Sequence, residues 1–292
     1  LLSRRQRQMC IRDSLDIQWC LEPAGKAENL ISYISEKTIS ELKECYPGVL
    51  KSDIVSLPEA LAIINAETGN KFIVIIDEWD VLIRDEAANK NVQEDYINFL
   101  RGMFKGTEPT KYIQLAYLTG ILPMKKEKTQ SALNNFDEFT MLSPSNLAQY
   151  VGFTEDEVRG LAREYNQDFD KVKMWYDGYL LRDYQVYNPR AVVSVMLKGE
   201  FKSYWSETAS YEAIVPLINM NYDGLKTAII AMISGAEVKV NTGTFKNDTL
   251  NIKSKDDVLT YMIHLGYLAY DQTNSMAFVP NEEIRQELTA AV

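Results

Sequence analysis

The sequence predicts an α/β chain: part of a parallel sheet with flanking helices, followed by a mostly helical, winged-helix-like or lid module. Three observations predict it. Phe72-Ile73-Val74-Ile75-Ile76 is a β-branched run dense enough for a fully buried parallel strand, and it ends on two adjacent carboxylates, Asp77 and Glu78. Apolar strand-like segments alternate with helical ones up to about residue 145, the pattern of a parallel sheet covered on both faces. Beyond that point capping boxes, helical periodicity and short hairpin patterns take over. The expected division is residues 1–14 as an arm or artefact, 15–145 as the sheet-bearing domain and 146–292 as the helical module.

In chain order, Leu15 to Leu21 alternates and reads as a strand. Ala27 to Cys45 is helical, with Leu30, Ile31, Ile34, Ile39 and Leu42 on one side. Ser56-Leu57-Pro58-Glu59 reads as a capping box, and Gly69 closes the helix it opens. The acidic strand follows at 71–77. Asn91 to Phe104 carries Val92, Tyr96, Phe99, Leu100 and Met103 at helical spacing. Tyr112 to Leu118 is an apolar strand ending at Thr119-Gly120, and Glu138 to Leu142 reads as a third short strand. Thr154 with Glu157 forms a second capping box. Trp175-Tyr176-Asp177-Gly178-Tyr179 is an aromatic turn whose expected role is packing between the two modules. Asn188-Pro189 opens a helix, and 213–234 is mostly helical. Residues 237–240 and 244–252 suggest a hairpin. Ser254 with Asp257 caps a helix that stops at Gly266, and a second hairpin spans 267–279.

The chain has 292 residues, 46% hydrophobic, and a formal net charge of −10. Such an acidic body disfavours binding along nucleic acid, although a local basic patch could still do so. Cys10, Cys20 and Cys45 show neither pairing nor metal spacing, which fits a reducing cytoplasm. No apolar run approaches a membrane span and no signal peptide is evident. His264, the only histidine, lies in an apolar helix beside Met262, Ile263 and Leu265, as a core or boundary histidine does. No nucleophile-elbow motif supports a Ser/His/Asp hydrolase. The first fourteen residues differ from the rest. They hold Arg4, Arg5, Arg7 and Arg12 against Asp13, follow no helical or strand period, and resemble a translated sequencing-library adapter. The alternative is a basic N-terminal arm. On the adapter reading, native sequence begins near Leu15 and the true N-terminus lies upstream.

Open α/β sheets place their chemistry at the C-terminal ends of strands, where Asp77 and Glu78 sit. The pair looks like a Walker B motif, in which the first acid holds Mg²⁺ through water and the second polarises the attacking water. The plain alternative, of equal weight on the motif alone, is a buried strand ending in a solvated acidic turn. Several blocks in order strengthen the first reading: Ile75 to Asp80, Leu118 to Pro123, Ser131 to Phe136, Gly152 to Val158, Trp175 to Tyr179, Tyr187-Asn188-Pro189, Tyr204-Trp205, His264 to Leu268 and Pro280 to Glu283. Together they resemble the predicted AAA-ATPase-like family of bacterial P-loop ATPases, whose members often carry a C-terminal PD-(D/E)XK nuclease-like domain.

The resemblance implies ATP and Mg²⁺ as cofactors, with Asp77 the Mg²⁺-side acid, Glu78 the catalytic base and Thr119 a polar sensor. Thr119 is equally a strand-ending hydroxyl before a glycine turn. Lys125, Lys126 and Lys128 could approach phosphates, though a run of lysines is usually a solvated face. Arg84 and Arg190 are candidate arginine fingers, which would imply a homo-oligomer. The chain departs from the family in having no G-x-x-x-x-G-K-[ST]; Gly69-Asn70-Lys71 enters a strand and opens no helix. The expectation is therefore a parent that hydrolyses ATP and a chain that, lacking its phosphate loop, does not. Loss of a central strand would also leave Ile113 to Leu118 with an unpaired apolar edge and the chain poorly soluble. Two other readings are weighed. Asp223 with Glu237-Val238-Lys239 has loose nuclease spacing but reads more simply as a charged surface hairpin, and the family's nuclease-like domain would follow residue 288. A non-catalytic interaction or switch module contacting a protein or DNA partner is the alternative function.

Overall fold

The structure, a computed structural model, describes residues 15–84, 90–121, 123, 133–205, 210–247 and 252–292, with the backbone alone at 210–213. Two compact units divide the chain, Leu1–Asp137 and Glu138–Val292. Residues 1–14, Lys125, Lys126 and Lys128 lie outside the described residues.

The first unit is mixed α/β. A three-stranded parallel sheet is ordered β1-β2-β3, with β1 Leu15–Asp16, β2 Phe72–Asp77 and β3 Ile113–Leu118. The helices of this unit are α1 (Ile17–Ala24), α2 (Leu30–Cys45), α3 (Leu57–Thr68), α4 (Val81–Arg84), α5 (Lys90–Phe104) and α6 (Pro109–Tyr112). The core takes Ile17, Leu30, Ile34, Leu42 and Ile64 from the helices and Phe72 and Ile76 from the sheet.

Three expectations change here. The segment 15–21 stays extended for two residues only, because the Asp16 side chain accepts the Trp19 N–H at 2.9 Å and caps α1, which Gly25 ends in the left-handed region. Residues 138–142 form no strand; the backbones of Thr140 and Ser143 bond each other in a tight turn, and β1 supplies the third strand instead. The sheet is also not covered on both faces by the described residues. Phe72 and Ile76 are buried, but Ile73, Ile75, Leu115 and Tyr117 are 58%, 42%, 55% and 46% exposed. These four are paired across the strands, Ile73 with Leu115 and Ile75 with Tyr117, so they form one apolar stripe. Strand β3 pairs only with β2 among the described residues and is a sheet edge.

The second unit carries two three-stranded antiparallel sheets. One is ordered β4-β6-β5 (Phe153–Thr154, Tyr184–Tyr187, Tyr179–Leu181) and the other β7-β9-β8 (Val238–Lys239, Met276–Phe278, Ala269–Asp271). The helices are α7 (Glu155–Glu164), α8 (Phe169–Tyr176), α9 (Pro189–Lys198), α10 (Ser210–Met220), α11 (Leu225–Ile233), α12 (Lys255–His264) and α13 (Glu282–Ala291). Expected caps form: the Thr154 N–H donates to Glu157 at 2.8 Å, Asn188 accepts from Arg190 and Ala191, and Ser254 accepts from Asp257. The helix expected over 213–234 breaks into α10 and α11 at Asn221, Asp223 and Gly224, all with positive φ. Strand β7 pairs with β9 and not with the 244–252 segment.

The Trp175–Tyr179 turn binds elements of its own unit together. The Tyr176 hydroxyl donates to the Lys202 carbonyl, the Tyr179 hydroxyl to the Gly266 carbonyl at 2.6 Å, and the Asp177 carbonyl accepts from the Asn281 amide at 2.7 Å. Gly178 has φ 113° and lies so close to the Pro280 carbonyl that a Cβ would overlap it.

Candidate functional site

Strand ends build the site. The parallel ladder sets Asp77 beside Asp16 and Ile76 beside Leu118, so the tips of all three strands lie level. Thr119 N–H then bonds the Ile76 carbonyl at 2.9 Å, and Trp79 N–H bonds the Thr119 carbonyl at 2.9 Å. These two bonds extend the β2–β3 pairing by one residue and bring the three residues singled out from the sequence together. The Thr119 hydroxyl donates to Asp77 Oδ1, which also accepts the Glu78 N–H at 3.0 Å. Asp77 is exposed, whereas Glu78 and Thr119 are half-buried.

At Glu78 the chain leaves the strand with φ 53°, an uncommon conformation for a non-glycine residue that costs energy and clusters at functional sites. It starts the turn into α4, which carries Arg84. Arg84 Nη2 contacts Glu78 Oε2 at 2.6 Å and Arg84 Nε contacts Asp80 Oδ2 at 3.0 Å. Asp80 is buried, and its other oxygen accepts the Ile121 N–H at 3.3 Å. The Tyr96 hydroxyl holds the intervening Trp79 carbonyl at 2.9 Å. Gly120 is required here by space, since a Cβ would lie 2.6 Å from Asp80 Oδ1 and 2.8 Å from the Trp79 ring.

Charge in this corner is strongly acidic. Burial pushes the Glu78 carboxyl above the usual carboxylate range; Arg84 pulls it down, while Asp80, Asp77 and Asp16 push it further up. Among the described residues no group of three or more His, Cys, Asp or Glu side chains could hold a metal ion by itself. Asp77 and Thr119 nonetheless offer two hard oxygens at one point. That suits Mg²⁺, which keeps several waters and takes its other ligands from phosphates.

Sequence reasoning missed the Asp80–Arg84–Glu78 chain. From the sequence Arg84 reads only as a candidate finger, yet it is paired within its own strand-to-helix turn. The signal available was the four-residue spacing from Asp80 to Arg84. Arg190 lies in the second unit, where its charge acts on Glu283. Glu237 and Lys239 are exposed, and Asp223 sits in the turn between α10 and α11. The His264 ring lies 6.2 Å from that of Phe245, at a boundary position.

A curated protein from Azotobacter chroococcum mcd 1, described as "Uncharacterized protein in vnfD 5'region", is 26% identical over 211 residues, which are 71% of this chain and 38% of that protein. The chain thus spans well under half the length of this relative. No solved structure matches the chain. No helix among the described residues is long and apolar enough to cross a membrane. The family model described as "Predicted AAA-ATPase" matches residues 15–129, the stretch that contains the parallel sheet, Asp77, Glu78 and Thr119.

Proposed function

We infer that this chain is the Walker B and sensor portion of an AAA-ATPase-like protein whose parent binds and hydrolyses ATP with Mg²⁺. The observation that carries the reading is the convergence of Asp77, Glu78 and Thr119 at level strand tips, with the Thr119 hydroxyl on Asp77. In the reading Asp77 is the Mg²⁺-side acid, Glu78 accepts a proton from the attacking water, and Thr119 fixes the Asp77 carboxylate. Mg²⁺, when bound, supplies charge neutralisation for phosphate oxygens. The residues fit that ion but not the nucleotide. The sequence carries no G-x-x-x-x-G-K-[ST], the motif whose backbone N–H groups and lysine cradle phosphates. Both units belong to the proposed protein, the second as its helical module. A PD-(D/E)XK nuclease-like domain downstream and a homo-oligomeric, cytoplasmic protein remain parts of the same reading.

The test is a titration of a fluorescent ATP analogue with Mg²⁺ into this chain and into a version extended upstream from the genome to include a phosphate loop. Binding by the extended version alone is expected. Micromolar binding by the chain as it stands would overturn the assignment of the nucleotide site.

A second reading, a non-catalytic interaction or switch module, is favoured by the exposed stripe Ile73, Ile75, Leu115 and Tyr117. Function unaffected by Glu78→Gln in the extended protein, together with nucleotide-independent partner binding, would select it.

A further inference from the structure

Arg84 belongs to the sheet-tip cluster, and the reading above gives it no role. Its guanidinium spans two carboxylates that differ in kind. Asp80 is buried and tied down three ways: to Arg84 Nε at 3.0 Å, to the Ile121 N–H at 3.3 Å, and by the Gly120 backbone packed where no Cβ fits. The Arg84 N–H also bonds the Asp80 carbonyl at 2.9 Å, so main chain and side chain both fix Arg84 to Asp80. Glu78, at the other end, keeps 37% of its side chain exposed and could satisfy its charge with water. The pair is only half-buried and still open to water, where an ion pair adds modestly to stability.

What the contact does supply is orientation. A free glutamate side chain samples several rotamers, and a base must be held in one to act on a water beside Asp77 and Thr119. The planar guanidinium fork presents donors in two fixed directions, which a lysine ammonium does not. We propose that Arg84 is a positioning residue for Glu78, bracketed by Asp80, so that Glu78, Asp80 and Arg84 work as one unit. This rests on the reading of Glu78 as the base. It also assigns Arg84 to its own site rather than to a neighbouring subunit's.

Two measurements test it. The first uses this chain labelled with ¹⁵N-arginine. Hindered rotation is expected to separate the two Nη signals of Arg84, and Glu78→Ala, which removes the acceptor, should merge them while the Nε–H on Asp80 persists. Freely rotating Nη groups in the unsubstituted chain would overturn the bracket. The second uses the extended protein and steady-state Mg²⁺-ATP turnover. Arg84→Gln should lower kcat roughly 10–100-fold with KM nearly unchanged, and Arg84→Lys should lie between it and the unsubstituted protein. A folded Arg84→Gln protein with unchanged kcat, beside a Glu78→Gln protein that has lost turnover, overturns the positioning role and leaves the base standing. Unchanged turnover in Glu78→Gln overturns the base and the proposal with it. Should Arg84→Gln not fold, Arg84→Lys decides: reduced kcat at an unchanged melting temperature supports the bracket, and full kcat overturns it.

Discussion

Glu283 is 1% exposed, yet it carries a carboxyl among backbone donors: Oε1 accepts the N–H of Tyr204 at 2.7 Å and of Trp205 at 3.1 Å. Burial pushes its pKa up from 4.5 to about 7, the two N–H groups pull it down, Glu287 pushes it up and Arg190 pulls it down. A carboxyl with a raised folded-state pKa binds more protons folded than unfolded between those two values. Stability from this group is therefore fully present below about pH 4.5 and is lost as pH rises to about 7, by on the order of 3 kcal/mol at most. Glu283→Gln keeps an oxygen for both N–H groups and cannot titrate. Urea midpoints of the two proteins should converge at acid pH and diverge above neutrality, with the variant more stable; parallel curves would refute this. At the sheet tip, Gly120→Ala forces a methyl against two buried side chains, Asp80 and Trp79, and should cost about 1–3 kcal/mol, read as a lower denaturant midpoint. That Asp77, Glu78 and Thr119 lie together at the strand ends was legible in the sequence, because strand ends locate themselves. The Arg84 bracket was not, because it depends on the left-handed turn at Glu78, which no residue type there announces.

The elements separate into those fixed by local chemistry and those fixed by packing. Asn188, Thr154 with Glu157, and Ser254 with Asp257 cap helices as their spacing predicts. Ser56 does not: it precedes α3 with an extended backbone and no side-chain bond, leaving Pro58 and Gly69 to set the ends. The parallel strands β2 and β3 were legible from β-branched density, but the same density implied a second covering layer that the described residues do not provide. Leu15 to Leu21 misled because alternation over seven residues also fits a capped helix, and Asp16 decides between them. Asn281 tests how much an element depends on one residue. It caps α13 by accepting the Ile284 N–H at 3.0 Å and donates to the Asp177 carbonyl at 2.7 Å, all while 7% exposed. Asn281→Ala removes a cap and strands a carbonyl, for a loss of about 2–4 kcal/mol. Asn188→Ala removes only a cap and should cost about 1 kcal/mol. Equal losses in thermal melts would show that the bond to the aromatic turn adds nothing.

For the molecule as a whole, net charge and the open sheet pull in opposite directions. A formal charge of −10 should keep molecules apart at neutral pH. Against it stand the stripe of Ile73, Ile75, Leu115 and Tyr117 and the outer edge of β3, which no strand among the described residues pairs; together they invite edge-to-edge association. The two influences can be separated at one residue. Leu115 is 55% exposed on the edge strand, so replacing it should change folding stability by no more than about 0.5 kcal/mol. Leu115→Lys reduces the net charge by one and Leu115→Glu increases it by one. If colloidal charge governed solubility, the lysine variant would associate more and the glutamate variant less. If the edge governs it, both should associate less, because either charge must be desolvated when a second strand pairs there. Light scattering on the three proteins across protein concentration should show the second pattern, with the unsubstituted chain the most associated. A monodisperse unsubstituted chain would refute the edge argument outright. Raising ionic strength should then leave the order unchanged, since screening weakens charge repulsion but not an apolar contact.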